Sequence, residues 1–306
     1  MKISNYVNAV LAAMLLCACS SGEGNELTDG PDTPSVKKLP ILISTVWSGI
    51  EDTRATDYSF ESGDEAGLYV VNHNSDGTAS DLKNTGNHVD NMKFTYNGTW
   101  TPESQIYWLD DKTHADFYLY YPYTSAVTDV KALPFNLNAD QSSTAAYKAG
   151  DMMVGSTKDV APTESAVKIN VKHVMSQIQI TLVPGNGFTD ETLAAAKVGV
   201  KVNGVKTKST VNLADGTVTA TGTATSVTPL KDGGSYKALI VPQSVAEGNL
   251  ITVNVDGRDF NLKKAFKFVG GTRHKFTVTL SKTSNGINVG IDQWEDEGID
   301  NGGTAE

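Results

Sequence analysis

Beyond residue 19 the chain has no cysteine; Cys17 and Cys19 are its 2 cysteines. The body therefore excludes a disulfide framework, a zinc finger and a thiol nucleophile. Arginine is nearly as scarce, with only Arg54, Arg258 and Arg273. Few bidentate clamps for phosphate or carboxylate are available. Basic charge is short overall: 25 Lys+Arg stand against 35 Asp+Glu, a net charge of -10 over 306 residues. Nucleic acid needs a cationic face, so it is excluded as a partner. No stretch after Leu16 reaches the ~18 consecutive apolar residues of a membrane-spanning helix.

Catalytic signatures are missing as well. The histidines His73, His88, His114, His173 and His274 have no metal-ligand spacing. Most glycines sit singly in turns, the Gly270-Gly271 pair precedes a strand instead of a helix, and no phosphate-cradling loop or nucleophile elbow is present. Asn72 to Gly77 offers oxygens at the spacing of a calcium loop, but the twelfth position is Lys83 where a carboxylate is required. No catalytic residue, metal or cofactor is expected.

What is present begins at the N-terminus. Lys2 precedes an apolar stretch from Val7 to Leu16, too short to span a bilayer. Leu16-Cys17-Ala18-Cys19 resembles a bacterial lipobox, which makes residues 1–18 a lipoprotein signal peptide and Cys19 the lipidated first residue of the mature chain. Removing Lys2 takes the mature net charge from -10 to -11. Glu23 and Glu26 resemble the surface-export signal of Bacteroidetes lipoproteins. Residues 19–37 are rich in Ser, Gly, Asp, Glu and Pro and read as a flexible tether.

The remainder reads as short strands separated by turn residues. Leu39 to Val46 is a compact apolar run. Ala66 to Asn72, Asp116 to Tyr121, Val167 to Val171, Gln177 to Leu182, Lys237 to Val241, Leu250 to Val255 and Lys275 to Leu280 follow the same pattern. Asn97-Gly98, Asn203-Gly204, Asp215-Gly216 and Asp256-Gly257 are hairpin signals between apolar flanks. One short helix is expected at Asp190 to Ala196 with Thr189 as N-cap. This is an all-β chain of the sandwich or barrel kind. The aromatic run Phe117, Tyr118, Tyr120, Tyr121 and Tyr123, with Trp100 and Trp108 upstream, reads as core, with a carbohydrate platform as the other use of such residues. Ala161 to Ala166 carries Pro and polar residues and marks a boundary. It divides a domain at 38–163 from one at 164–294, and an acidic tail fills 295–306.

Taken in order, these segments resemble the fimbrillin (Mfa-like) family of Bacteroidetes pilus subunits. The matching pieces are the lipobox, Thr53-Arg54-Ala55-Thr56, Phe60-Glu61-Ser62-Gly63-Asp64 leading into Ala66-Gly67-Leu68-Tyr69-Val70, and Tyr120-Tyr121-Pro122-Tyr123. Asp151-Met152-Met153-Val154-Gly155, His173-Val174-Met175-Ser176-Gln177-Ile178, Phe268-Val269-Gly270-Gly271 and Ile291-Asp292-Gln293-Trp294 continue the series.

The resemblance implies two tandem transthyretin-like β-sandwich domains and a pilin of a type V fimbria in place of an enzyme. It implies a lipidated precursor anchored in the outer membrane at the cell surface. An arginine-specific surface protease then cuts after the first strand, and a strand from another pilin subunit fills the vacated groove. Arg54 matches the cleavage arginine, with the cut before Ala55, and its polar surroundings from Gly49 to Tyr58 suit an accessible site. Arg258 and Arg273 adjoin strands whose pairing should shield them. In Leu39 to Val46, Leu39, Ile41, Ile43 and Thr45 form the more apolar side and should face the core. Gly286 to Trp294 repeats that pattern through Ile287, Val289 and Ile291 and is the candidate donor strand. The same alternation also suits a strand completing its own C-terminal sheet. Uncut surface lipoproteins share these motifs, so a non-polymerising adhesin or glycan-binding module is the alternative function.

Overall fold

The computed structural model describes residues 38–47, 59–282 and 303–305. They belong to one contact-dense unit beginning at Lys38. The chain runs through β1 (Ile43–Trp47), β2 (Glu65–Asn72), β3 (Val89–Tyr96), β4 (Trp100–Pro102), β5 (Ala115–Tyr121), β6 (Leu133–Asn136), α1 (Thr144–Lys148), β7 (Met153–Val160) and β8 (Val167–His173). It continues with β9 (Ser176–Pro184), α2 (Asp190–Ala195), β10 (Val198–Val211), β11 (Val218–Val227), β12 (Leu230–Asp232), β13 (Ser235–Ile240) and β14 (Gln243–Val245). Last come β15 (Asn249–Val255), β16 (Arg258–Lys263), β17 (Phe266–Phe268), β18 (Arg273–Leu280) and β19 (Gly303–Ala305). The fold is all-β, as the turn-punctuated alternation predicts.

One sheet has the order β1-β8-β7-β5-β2-β3-β4. A second has the order β11-β10-β15-β16, with β6 also pairing β10, and a third β12-β13-β9-β18-β19. Ile178, Ile180, Val200, Val202, Val253, Phe260, Phe276 and Val278 fill a core drawn from the second and third sheets. On the first sheet, Ala66, Leu68, Phe117, Leu119, Tyr121, Ile169 and Val171 share a core with Trp100, Ile106 and Trp108. Tyr69, Tyr118 and Tyr120 point the other way and meet Val211, Leu213, Leu239 and Val241 in a third core. Strand β5 is thus buried along its whole length. Side chains alternate across a strand, and here both faces are covered. The aromatic run is core, so the platform for carbohydrate is not formed there.

Four local readings differ from the sequence expectation. The boundary at 163/164 falls inside the first sheet, because Ala161 to Ala166 is the loop of the antiparallel β7–β8 pair, and β8 belongs with the strands before it. Its Pro and polar residues serve a hairpin. Asn203-Gly204 is not a hairpin turn but an irregularity inside the continuous strand β10, where the pairing with β11 steps from Val202↔Val227 to Val205↔Thr225. Gly204 takes a φ of 73° and the Asn203 amide donates to Asn249 O and Thr252 Oγ1, both at 2.9 Å. A second helix, α1, is capped by Ser143, whose hydroxyl accepts from Ala146 N. β7 carries no strand signal in the sequence, since Gly155 and a run of polar residues interrupt its alternation. Thr189 does cap α2, in a reciprocal capping box with Thr192.

Candidate functional site

The segment 38–47 pairs with two distant parts of the chain. Ile41 N donates to Ile106 O and Trp108 N to Leu39 O, both at 2.9 Å. Pro40 bridges Tyr107 in the same antiparallel stretch. Val167 N then donates to Leu42 O at 2.8 Å, and from Ile43 onward the segment runs parallel to β8, Ile43 against Val167 through Trp47 against Val171. In the sheet order β1 is an edge strand, with β8 as its neighbour. Parallel pairing is slightly weaker per residue than antiparallel.

The alternation predicted from sequence is the one observed. Ile41 and Ile43 are 0% and 5% exposed, whereas Leu42 and Val46 are 44% and 42% exposed. Ile41 and Ile43 join the core containing Ile106, Trp108, Phe117, Val167 and Ile169. Thr45 lies on the same side, and its Oγ1 accepts the indole N–H of Trp100 at 3.2 Å. At the end of the strand Trp47 stacks on Phe60 at 5.2 Å and on His173 at 5.5 Å. His173 Nδ1 lies 2.7 Å from Asp151 Oδ1. The segment is therefore a plug with two aliphatic side chains, a hydroxyl and an indole at successive positions of one face.

Sequence reasoning located the plug and its inward face but not the residues that receive it. The antiparallel partner at 106–108 follows β4 by a short loop and carried no signal except Ile106 and Trp108 at alternate positions. Cys19, Arg54, Ala55, Ile287, Val289 and Ile291 lie outside the described residues. Arg258 and Arg273 lie on the paired strands β16 and β18.

Two further places carry chemistry. An open groove of about 360 Å³ next to the plug is lined by Lys38, His88, Gln105, Tyr107, Trp108 and Leu109. At the end of the first sheet, His73 Nε2 is 3.0 Å from Asp116 Oδ1 and its Nδ1 is 3.2 Å from Gly77 O. Both ring nitrogens face oxygen, an arrangement the imidazolium satisfies as a double donor. The bond to Asp116 raises the His73 pKa above the ordinary 6.5. Burial opposes ionisation of Asp116, yet the Asp159 N–H, His73 and Lys158 outweigh it and hold its carboxyl below the usual range. His114 Nδ1 adds a contact to Asp159 at 2.7 Å. Among the described residues no group of three His, Cys, Asp or Glu side chains is arranged to hold a metal ion.

The comparisons with known proteins agree with this architecture. A fimbrillin-like family model matches residues 53–294. A Bacteroides uniformis protein provisionally named fimbrium subunit Fim1C is 28% identical over 310 residues, covering 96% of each chain. A Bacteroides ovatus protein provisionally named fimbrium tip subunit Fim1C is 26% identical over 203 residues, 60% of this chain and 36% of its own. Among solved structures, a cell adhesion protein of B. uniformis, again provisionally named, superposes with a TM-score of 0.61 at 22% identity, covering 81% of this chain and 94% of that one. Its counterpart from B. ovatus gives 0.62 at 17% identity, covering 79% and 92%. With the family model spanning most of its length, the chain belongs to the fimbrillin-like family.

Proposed function

We propose that this chain is a structural subunit of a cell-surface fimbria, assembled by strand exchange after proteolysis and contributing to adhesion. The observation that carries the reading is the plug: an edge strand with buried Ile41 and Ile43, followed after Trp47 by Arg54. The precursor is exported on residues 1–18, lipidated at Cys19 and held at the outer membrane. An arginine-specific surface protease cuts between Arg54 and Ala55. Loss of residues 19–54 strips β1 from β8, frees a row of main-chain donors and acceptors and empties the positions of Ile41 and Ile43. An extended segment of another subunit then enters by β-augmentation. The candidate is Gly286 to Trp294, whose Ile287, Val289 and Ile291 each contribute ~1.5–3 kcal/mol on burial before ordering costs. The names carried by relatives in two Bacteroides species support the fimbrial part of this reading.

A second reading, an uncut surface lipoprotein adhesin that binds glycan, draws on the open groove beside the plug, where Tyr107 and Leu109 are exposed. N-terminal sequencing of protein sheared from the native cell surface separates the two. A start at Ala55 with laddering on unboiled gels is expected for the fimbrial subunit. A blocked start at Cys19 and a single band would overturn it in favour of the monomer.

A further inference from the structure

The second sheet ends in a strand that carries no charge. Among the described residues β11 has β10 as its one neighbour, so its other side presents a row of main-chain donors and acceptors. It is 10 residues long, and every residue of 221–226 is exposed. The other sheet ends are shorter or charged. β4, β12, β14, β17 and β19 have 3 residues each, β1 has 5, and β16 carries Arg258, Asp259 and Lys263. Lysine, proline and brevity are the usual guards against pairing at an edge, and β11 has none of them. Threonine at 219, 221, 223 and 225 favours the extended backbone and keeps the edge compatible with water.

One irregularity divides this edge. The pairing with β10 steps from Lys206↔Ala224 to Lys208↔Thr221, and Gly222 has a φ of 75° there. Residues 222 and 223 together oppose Thr207, which makes a bulge. A straight strand laid along the edge meets a break in register at this point. A second β11, turned end for end, has the same break in the same place. A two-fold axis through the bulge lays 218–221 of one copy along 224–227 of the other. Val218 then meets Val227, Thr219 meets Ser226 and Thr221 meets Ala224. Because the bulge absorbs one residue, the residues that meet point to the same face.

Charge agrees with this direction. Asp215 and Lys231, both exposed, are the first charged residues before and after β11. Antiparallel pairing sets the Asp215 end of one copy beside the Lys231 end of the other. Along the strand itself no charge meets its own image across the axis.

We propose that β11 is a docking edge for a second copy of this chain, which pairs its own β11 antiparallel to it, so that the two second sheets join into one. The interface is isologous and main-chain hydrogen bonds supply its contacts. It uses neither the plug nor Arg54. It therefore goes beyond the fimbrial reading and joins cut and uncut copies side by side alike.

The test uses the uncut mature chain, unlipidated and carrying Cys19→Ser, so that no cysteine remains. A concentration-dependent dimer is expected in sedimentation. Thr223→Cys, with its two copies ~5 Å apart at the axis, should oxidise to a covalent dimer. Thr219→Cys, with its copies roughly 20 Å apart, should not. Thr223→Glu and Thr223→Lys should each weaken the dimer about tenfold by setting like charges face to face, and an equal mixture of the two should restore it. A chain that stays monomeric at millimolar concentration would overturn the proposal. So would equal oxidation at both cysteine positions, or a dimer indifferent to the charges at 223. Pairing that appears only once residues 283–306 are removed would place the chain's own end on the edge and overturn it as well. None of these results bears on the N-terminal start and gel ladder that test the fimbrial reading.

Discussion

The indole N–H of Trp100 donates to Thr45 Oγ1 at 3.2 Å, so a core residue of β4 is bonded to the strand that the proposed cleavage would remove. Thr45→Val keeps the shape and deletes the acceptor. The buried N–H is then unpaired, at a cost of about 1–3 kcal/mol. The denaturant midpoint should fall accordingly, and the 38–47 segment should become more open to limited proteolysis. An unchanged midpoint would show that the bond contributes nothing to seating the plug.

The two faces of the plug should respond in opposite ways. Ile41→Asp places a charge in the core around Ile106 and Trp108 and should unseat the segment or prevent folding. The milder Ile41→Ala should cost about 2–5 kcal/mol. Leu42→Asp, on the exposed face, should stay within about 0.5 kcal/mol of the parent. Equal losses at both positions would refute the assigned phase.

Gly67 leaves room for a ring. A Cβ there would lie 2.1 Å from the Tyr120 ring, whose hydroxyl sits 2.7 Å from Asn91 Oδ1 and 2.8 Å from Thr124 O. Gly67→Ala should destabilise by about 1–3 kcal/mol through displacement of that ring. The double variant with Tyr120→Ala should lose less than the sum of the two single losses. Strict additivity in urea titrations would exclude the clash as the cause.

The His73–Asp116 pair sets a pH window. The His73 pKa is raised in the fold, so its contribution is complete below 6.5 and is lost as pH rises through the folded value. Asp116 is lowered, so its contribution is complete above its ordinary 3.8 and is lost as pH falls through the depressed value. Stability from the pair is therefore greatest between these limits. Midpoints measured from pH 5 to 9 should decline more steeply for the parent than for His73→Gln. Parallel profiles would mean that the pair does not couple to folding.

The plug's inward face was legible because Leu39 to Val46 alternates over a span that only a half-buried strand explains. Turn chemistry was legible where a hairpin is local, as at Asp215-Gly216 between β10 and β11. It misled at Asn203-Gly204, because the same dipeptide serves a bulge when partners on both sides hold the strand straight. Of those partners, β11 returns through the hairpin at Asp215-Gly216 and β15 is remote in sequence. The acceptor residues 106–108 were illegible for the same reason. So was Gln141, whose amide oxygen accepts from Leu239 N and whose amide nitrogen donates to Leu239 O, both at 2.8 Å and 98 residues away. A glutamine in a polar stretch gives no sign that it will mimic a strand.

The third core joins β5 of the first sheet to Val211, Leu213, Leu239 and Val241 of the later strands. A waist made of interlocked side chains has no soft joint. Flow across a bacterial surface pulls a filament along its length, and each link answers according to its weakest seam. In this chain that seam is not the waist, where tyrosines and aliphatics would have to be drawn out of a filled interior. If the chain assembles as proposed, tension would be passed on through this filled interior and would load the seams between copies.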